Sequence, residues 1–306
     1  MSPDMKSSSK HRAEQIHAPA LQQLKLLCGQ KALVTGANSG IGRAVAIGLA
    51  RAGADVAVNY ITNEDAAKEV VEVIVADGGR ACAVRADVAC EGEVQEMFDT
   101  VRQKFGHLDI LVNNAGCQAG ACIEDMSLAQ WNTVISTNLT GQFLCMREAI
   151  REFKRHGVIE HVSVSAGKII CISSIHEAIP YAGNANYAAS KGGVMQLMKS
   201  VAQEVGPHRI RVNSICPGII ETAINTLVWQ DSDKKNIALK AIPCRRIGQP
   251  DDIARLAVFL ASDEADYITG ASIFADGGIS LYSGLRELVR ENLALKKELA
   301  AVSARE

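Results

Sequence analysis

Four polar side chains in separate stretches of the sequence, Asn138, Ser174, Tyr187 and Lys191, are of the types that move protons and hold oxygen atoms in place. Tyr187 and Lys191 are four residues apart, so they share a face if their stretch is helical. A free phenol titrates near ~10 and is a poor base at neutral pH, but an ammonium beside it favours the phenolate. Ser174 follows a β-branched run, and a hydroxyl at the C-terminal end of a strand lies where open α/β sheets place their ligand crevice. There it can hydrogen-bond a substrate oxygen next to the phenol. Taken alone, the Tyr–Lys pair also fits a core aromatic and a solvated helix lysine.

The segment Thr35-Gly36-Ala37-Asn38-Ser39-Gly40-Ile41-Gly42 joins a strand-like run to an apolar-periodic helix. Glycines at this spacing allow a tight turn, close approach to a pyrophosphate and close packing of the helix on the sheet. The helix N-terminus then presents N–H groups and a partial positive charge to the anion. The loop reads as a dinucleotide site, and a bound oxidised nicotinamide would add a second positive charge favouring a phenolate. The chemistry is therefore hydride transfer coupled to proton transfer. A second strand-like run ends at Asn59 and Tyr60, where an NAD site usually carries a carboxylate for the ribose hydroxyls. Asn59 removes the charge that would repel a 2′-phosphate. No arginine follows at Tyr60, Ile61 or Thr62, and Arg43 reads equally well as a solvated helix residue. The cofactor is NADP or NAD, with the missing carboxylate tilting the reading to NADP.

These residues need a scaffold, and the pattern of the chain supplies one. Strand-like runs at Lys31–Thr35, Asp55–Asn59, Ala81–Ala86, Leu108–Asn113, Lys168–Ser173, Arg211–Ile215 and Ser272–Ala275 alternate with helix-like stretches. The helices are expected over Ile41–Ala52, Glu64–Asp77, Glu91–Phe105, Leu128–Lys154, Asn186–Val205 and Asp251–Ala261, with Gly53, Gly78, Gly106 and Gly206 stopping four of them. This is the signature of βαβ units. The fold class is α/β: a single doubly wound, mostly parallel seven-stranded sheet with helices on both faces. The expected organisation is a mobile arm over 1–28, one domain over 29–280 and an amphipathic helical tail over 281–306.

Composition closes off other classes. Lys plus Arg number 32 and Asp plus Glu 34, so there is no basic field for nucleic acid and no cationic face for anionic lipid. No apolar run reaches the ~18–20 residues of a membrane span, and no apolar h-region opens the chain. Nine cysteines without a CxxC pair point to reduced thiols in a cytoplasmic protein, with no metal site. Cys117 reads as a small packing residue.

The segments Thr35–Gly42, Asn113-Asn114-Ala115-Gly116, Ser173–Ser174, Tyr187-Ala188-Ala189-Ser190-Lys191 and Pro217-Gly218 together resemble the short-chain dehydrogenase/reductases, in the family's order, across residues 29–280. The resemblance implies a Rossmann subunit and an NAD(P)-dependent oxidoreductase in which Tyr187 is the acid/base. Lys191 would favour its phenolate and hold the ribose, Ser174 would orient the substrate, and Asn138 would hold a relay water. It also implies a cofactor cradle of Gly36, Asn38, Ser39, Gly40, Ile41, Gly42, Asn59 and Tyr60, with Asp87 and Val88 at the adenine. Asn114, Ala115 and Gly116 would line the ribose, and Pro217, Gly218, Ile220 and Thr222 the carboxamide.

Within that family the segments Ser173–Ala178, Tyr187–Val194 and Phe274–Gly278 resemble glucose 1-dehydrogenases, which makes a sugar or polyol the leading substrate and gives His176 a place at a sugar hydroxyl. Cys117-Gln118-Ala119 and Ile219-Ile220-Glu221-Thr222 depart from that group. The second of these resembles 3-oxoacyl-(acyl-carrier-protein) reductases, for which Lys234, Lys235, Lys240, Arg245 and Arg246 offer basic residues. A third reading is a nucleotide-sensing module with idle chemistry. The 157–167 stretch looks like a surface excursion. In the tail, Leu285, Leu288, Asn292, Leu295, Leu299 and Val302 form a short heptad ladder that could pair between subunits. A homotetramer is what the resemblance implies.

Overall fold

The computed structural model describes residues 24–222 and 232–281. The arm as far as residue 23, residues 223–231 and the tail from residue 282 lie outside the described residues, and with them the heptad ladder.

Seven strands form one sheet, β1 (Lys31–Val34), β2 (Asp55–Tyr60), β3 (Ala81–Arg85), β4 (Ile110–Asn113), β5 (Gly167–Ile172), β6 (Ile210–Pro217) and β7 (Ser272–Ala275), in the order β3-β2-β1-β4-β5-β6-β7. Every pairing is parallel. The order reverses between β1 and β4, which opens a crevice at their C-terminal ends. The helices are α1 (Gly40–Arg51), α2 (Glu64–Ala76), α3 (Glu91–Phe105), α4 (Leu128–Ile135), α5 (Gly141–His156), α6 (Ala185–Val205), α7 (Ser232–Ala241) and α8 (Pro250–Ala261). One core joins α1, α2 and α8 to one face of the sheet, and the other joins α3, α5 and α6 to the opposite face.

Local chemistry marks the helix ends. Asn63, at φ 61°, caps α2 by accepting from the Ala66 N–H, with Glu64 and Asp65 in the first turn. In α4, Ser127 and Gln130 form a reciprocal capping box. Gly53, Gly78 and Gly106 do take positive φ just past α1, α2 and α3. Gly206 does not: it stays right-handed and begins a 3₁₀ turn, Gly206–His208, and Arg209 takes the left-handed position instead.

Three other expectations are corrected. The helix expected over Leu128–Lys154 is broken into α4 and α5 by a π turn at Ser136–Thr140, in which the Gly141 N–H reaches back to the Ser136 carbonyl. Leu27, placed in the arm, is fully buried, and its N–H donates to the Ala52 carbonyl at 2.8 Å. The 157–167 excursion is only half on the surface. Ser163, Ser165 and Ala166 are buried: the Lys168 ammonium, itself 1% exposed, donates to Ser163 Oγ and Gln30 Oε1, and Arg211 donates to Ser165 Oγ.

Candidate active site

The Gly36–Gly42 loop rises from β1 and turns into α1, with Gly36 at φ 59° and Gly40 at φ 52°. A Cβ on Gly42 would overlap the Gly36 carbonyl and the Asn114 amide, so only glycine lets this loop close on itself. The Ser39 side chain makes no cap hydrogen bond and no acidic residue occupies the first turn of α1. The N-terminal dipole of α1 therefore faces the crevice without a protein anion, which fits a pyrophosphate.

That crevice is a cleft of about 590 Å³. Its lining runs from Asn38, Asn59, Ile61 and Asp87 at one end, past Asn114–Gly116, to Ser174, Tyr187, Lys191, Pro217, Ile220 and Thr222 at the other. A cleft of that size, joining an anion-binding loop to a proton-transfer set, fits a dinucleotide.

Thr35 ties β1 to β4: its Oγ1 accepts from the backbone N–H of Asn114 at 2.9 Å and of Ala115 at 3.0 Å. The Asn114 amide donates to the carbonyls of Thr35 and Gly36 at 2.9 and 3.0 Å. Asp87 bends the chain after β3 by accepting from the Ala89 N–H, and Val88 packs against Gly141 at the head of α5.

At the chemical end, α6 sets both Tyr187 and Lys191. The Lys191 ammonium is buried, donates to the Ile172 carbonyl at 2.9 Å and lies 5.5 Å from the Tyr187 ring centroid. Ser174 begins a short 3₁₀ turn, Ile175–Glu177, with its Oγ accepting from the His176 N–H. Asn138 lies in the π turn, wholly buried. Its Oδ1 accepts from the Cys117 N–H at 2.8 Å, and its Nδ2 donates to the Cys117 carbonyl and to Ser190 Oγ. Ser190 in turn donates to the Tyr187 carbonyl at 2.7 Å. The Asn138 amide is thus engaged on both sides, and it clamps the Cys117 loop to the helix that carries Tyr187.

Behind Ser174, Glu177 is buried, its carboxylate facing the Cys216 thiol. The nearby Cys216 thiol is pushed up to about 12, by its own burial first and by the Glu177 charge second. Burial also lowers the pKa of His176, partly offset by its hydrogen bonds to backbone carbonyls.

Most of the expected residues converge on the cleft, and three need correction. The Asn59 side chain points into the structure, accepting from the Gly36 N–H at 3.1 Å and donating to the Val84 and Ala86 carbonyls. Asn59 lines the cleft, and its amide is engaged in shaping the glycine loop. Tyr60 is buried in the core beside α1 and α2 and does not line the cleft. His176 is also absent from the lining; its ring is stacked on Tyr181, just beyond it. Thr35, Ser190 and Asn186 were not anticipated. A hydroxyl three residues after Tyr187, on the same helix face, was the one available signal for Ser190.

A family model described as enoyl-(acyl carrier protein) reductase matches residues 36–280. The chain is a short-chain dehydrogenase/reductase. Within this family it is 40% identical to 3beta-hydroxysteroid dehydrogenase 1 of Eggerthella lenta, over 85% of this chain and 97% of that protein. It is 38% identical to glucose 1-dehydrogenase 2 of Bacillus subtilis (84% and 97%). It is 41% identical to a 3-oxoacyl-(acyl-carrier-protein) reductase of Staphylococcus epidermidis (82% and 98%). A solved gluconate 5-dehydrogenase from Burkholderia cenocepacia, in complex with NADP and tartrate, superposes with a TM-score of 0.77 at 33% identity, over 84% of this chain and 98% of that one. As a short-chain dehydrogenase/reductase the chain is an NAD(P)-dependent enzyme acting on CH–OH or keto groups.

Proposed function

We propose that the enzyme oxidises a sugar or polyol, or reduces the corresponding ketone, with Tyr187 as acid/base. The observation that carries this reading is the convergence of Ser174, Tyr187 and Lys191 on the cleft that begins at the α1 N-terminus. The nicotinamide, when bound, supplies or accepts the hydride at the reacting carbon. Ser174 Oγ hydrogen-bonds the oxygen on that carbon, and the Tyr187 hydroxyl gives or takes its proton. The Lys191 ammonium, fixed on the Ile172 carbonyl and 5.5 Å from the Tyr187 ring centroid, stands beside the negative charge that forms as the proton leaves. Asn138 keeps α6 in register with the Cys117 loop. Since its side chain is spent on that clamp, a relay water would be held by the main chain of the π turn.

The α1 N-terminus and the Gly36–Gly42 backbone hold the pyrophosphate, Asp87 and Val88 the adenine, and Ile220 and Thr222 the carboxamide end. Around the adenosine ribose the cleft offers Asn38, Ser39 and Ile61 and no carboxylate other than Asp87. This supports NADP over NAD, with Arg43 exposed on the first turn of α1, directly after the glycine loop.

The second reading is reduction of a 3-oxoacyl thioester, which the Staphylococcus epidermidis relative favours. Against it, two of the basic residues suited to an acidic carrier are already committed. Arg246 is bidentate on Asp252 at 2.6 and 3.0 Å, and Arg245 donates to the Leu239 and Lys240 carbonyls.

NADPH and NADH formation with a panel of aldoses, polyols and secondary alcohols tests the proposal, with Tyr187→Phe as control. Sugar turnover lost by ~10²–10⁴-fold in the control is the expected result. Turnover of 3-oxoacyl thioesters alone moves the enzyme to the second reading. Cofactor binding with no turnover of either makes it a sensing module. Sedimentation of the full chain checks the homotetramer.

A further inference from the structure

Three aromatic rings meet beside the reacting phenol. His176 lies flat on Tyr181, with centroids 4.1 Å apart and planes 9° from parallel. Both rings meet Tyr187 edge-on, each centroid 6.3 Å from that of the phenol, at 74° and 81°. Stacked and edge-to-face contacts are the favourable arrangements of aromatic quadrupoles, so the three rings fix one another.

The segment that carries Tyr181 is also fixed by its backbone. The Asn184 N–H donates to the Tyr181 carbonyl at 3.0 Å, and Gly183 takes φ 75° to close that turn. A Cβ on Gly120 would overlap the Gly183 carbonyl and the Asn184 side chain, so the turn is pressed against the loop that follows β4. Two residues on, the buried Asn186 amide donates to the Ala119 and Gln130 carbonyls at 3.0 and 3.2 Å. His176 contributes its own anchor, with Nδ1 at 3.3 Å from the Ile179 carbonyl. Tyr181 is therefore held from several sides, yet it remains 37% exposed. A rigid, half-exposed aromatic ring gives contact area at little cost in conformational entropy.

Resting on the oxidoreductase reading above, we propose that Tyr181, held by His176, is a specificity-determining residue. It receives a saturated ring bearing the reacting oxygen, a pyranose or an alicyclic secondary alcohol. The placement rests on proximity: Tyr181 lies just beyond the lining of the cleft, half exposed, with its ring centroid 6.3 Å from that of the phenol that meets the reacting oxygen. A saturated ring presents several C–H groups in one plane, and these carry the partial positive charge that the negative face or hydroxyl edge of a phenol attracts. An open chain must freeze several torsions to present the same surface.

The test uses the full-length enzyme with D-glucose, cyclohexanol and 2-hexanol, and the variants Tyr181→Ala, Tyr181→Leu and Tyr181→Phe, reading KM and kcat separately. The Ala and Leu variants should raise KM for a ring alcohol about threefold to tenfold, with kcat and the KM for 2-hexanol moving less than about twofold. The Phe variant should restore the ring preference. An effect on glucose alone assigns a polyol ring, and one on cyclohexanol alone an alicyclic one. An equal KM rise for ring and chain, no rise for either, or a fall in kcat alone overturns the proposal. So does a wild-type enzyme that turns over 2-hexanol but neither ring alcohol. Failure of the oxidoreductase reading looks different: the wild type binds NADPH and turns over no carbinol or ketone, and the proposal falls with it.

Discussion

At the scale of single residues, the site rests on backbone groups brought closer together than a side chain would permit. Gly42 is the sharpest case, because its hydrogen stands where a methyl would overlap the Gly36 carbonyl and the Asn114 amide. Gly42→Ala should push the loop off β4 and spoil the angle at which the α1 N-terminus meets the pyrophosphate. We expect NADPH affinity to drop by at least about tenfold and thermal stability to fall as overpacking strains the loop. Cofactor titration by fluorescence alongside thermal melts checks both, and unchanged affinity would show that the loop has room to give. Much of this chemistry is legible in the sequence. The glycine spacing, the Tyr187–Lys191 interval and the strand-end position of Ser174 each have a local physical meaning. Thr35, Ser190 and Tyr181 are less legible, since hydroxyl and aromatic residues are ordinary and their roles come from neighbours distant in sequence. Asn59 misleads for the same reason. Its position after a strand suggests a ribose contact, while the fold uses its amide to bond the glycine loop and two carbonyls of the β3 end.

At the scale of elements, the strands could be located because short apolar runs, set between helical stretches that three glycines close, look the same wherever a parallel sheet needs them. The π turn could not, because residues 128–154 keep a helical pattern and nothing local marks the extra residue. Its effect is tertiary: it places Asn138 where one amide can bond both the Cys117 backbone and Ser190 on α6. α5 is anchored by Leu144, Cys145, Ala149 and Phe153, whereas α4 buries only Val134. Deleting the exposed Thr140 should therefore restore a regular helix by rotating α4 and Asn138, roughly 100° about the axis, with α5 staying in place. The clamp on Cys117 and Ser190 would be lost. We expect kcat to fall about a hundredfold with far-ultraviolet circular dichroism nearly unchanged. An unaltered kcat in that deletion would mean that Asn138 does not position the site.

At the scale of the whole molecule, the cleft occupies the C-terminal ends of the strands, and a separate buried polar cluster ties the N-terminal ends together. Lys168, at the start of β5, donates to Gln30, which precedes β1, and to Ser163 in the excursion after α5. Ser163 in turn donates to Asp263 beyond α8 at 2.6 Å. Arg211, beside Lys168 in the sheet, reaches Ser165 and the carbonyls of Leu260 and Ser262. Segments from three distant parts of the chain, around Gln30, Ser163–Lys168 and Asp263, thus meet at one ammonium. Burial lowers the Lys168 pKa to about 8 from the ordinary 10.5, with Asp263 and Asp109 opposing the shift. Between those two values the unfolded chain holds a proton that the folded chain has released. Folding stability should accordingly rise with pH across that window, while below it the cost of the buried charge is fully present and this group adds no pH dependence. Lys168→Met removes the titrating group and keeps much of the buried stem. Relative to that variant, the wild type should gain on the order of 1–3 kcal/mol in urea unfolding between about pH 7.5 and about pH 10. A wild-type-minus-variant difference that stays flat would mean that Lys168 remains protonated in the fold, its ammonium sufficiently held by Gln30, Ser163 and Asp263.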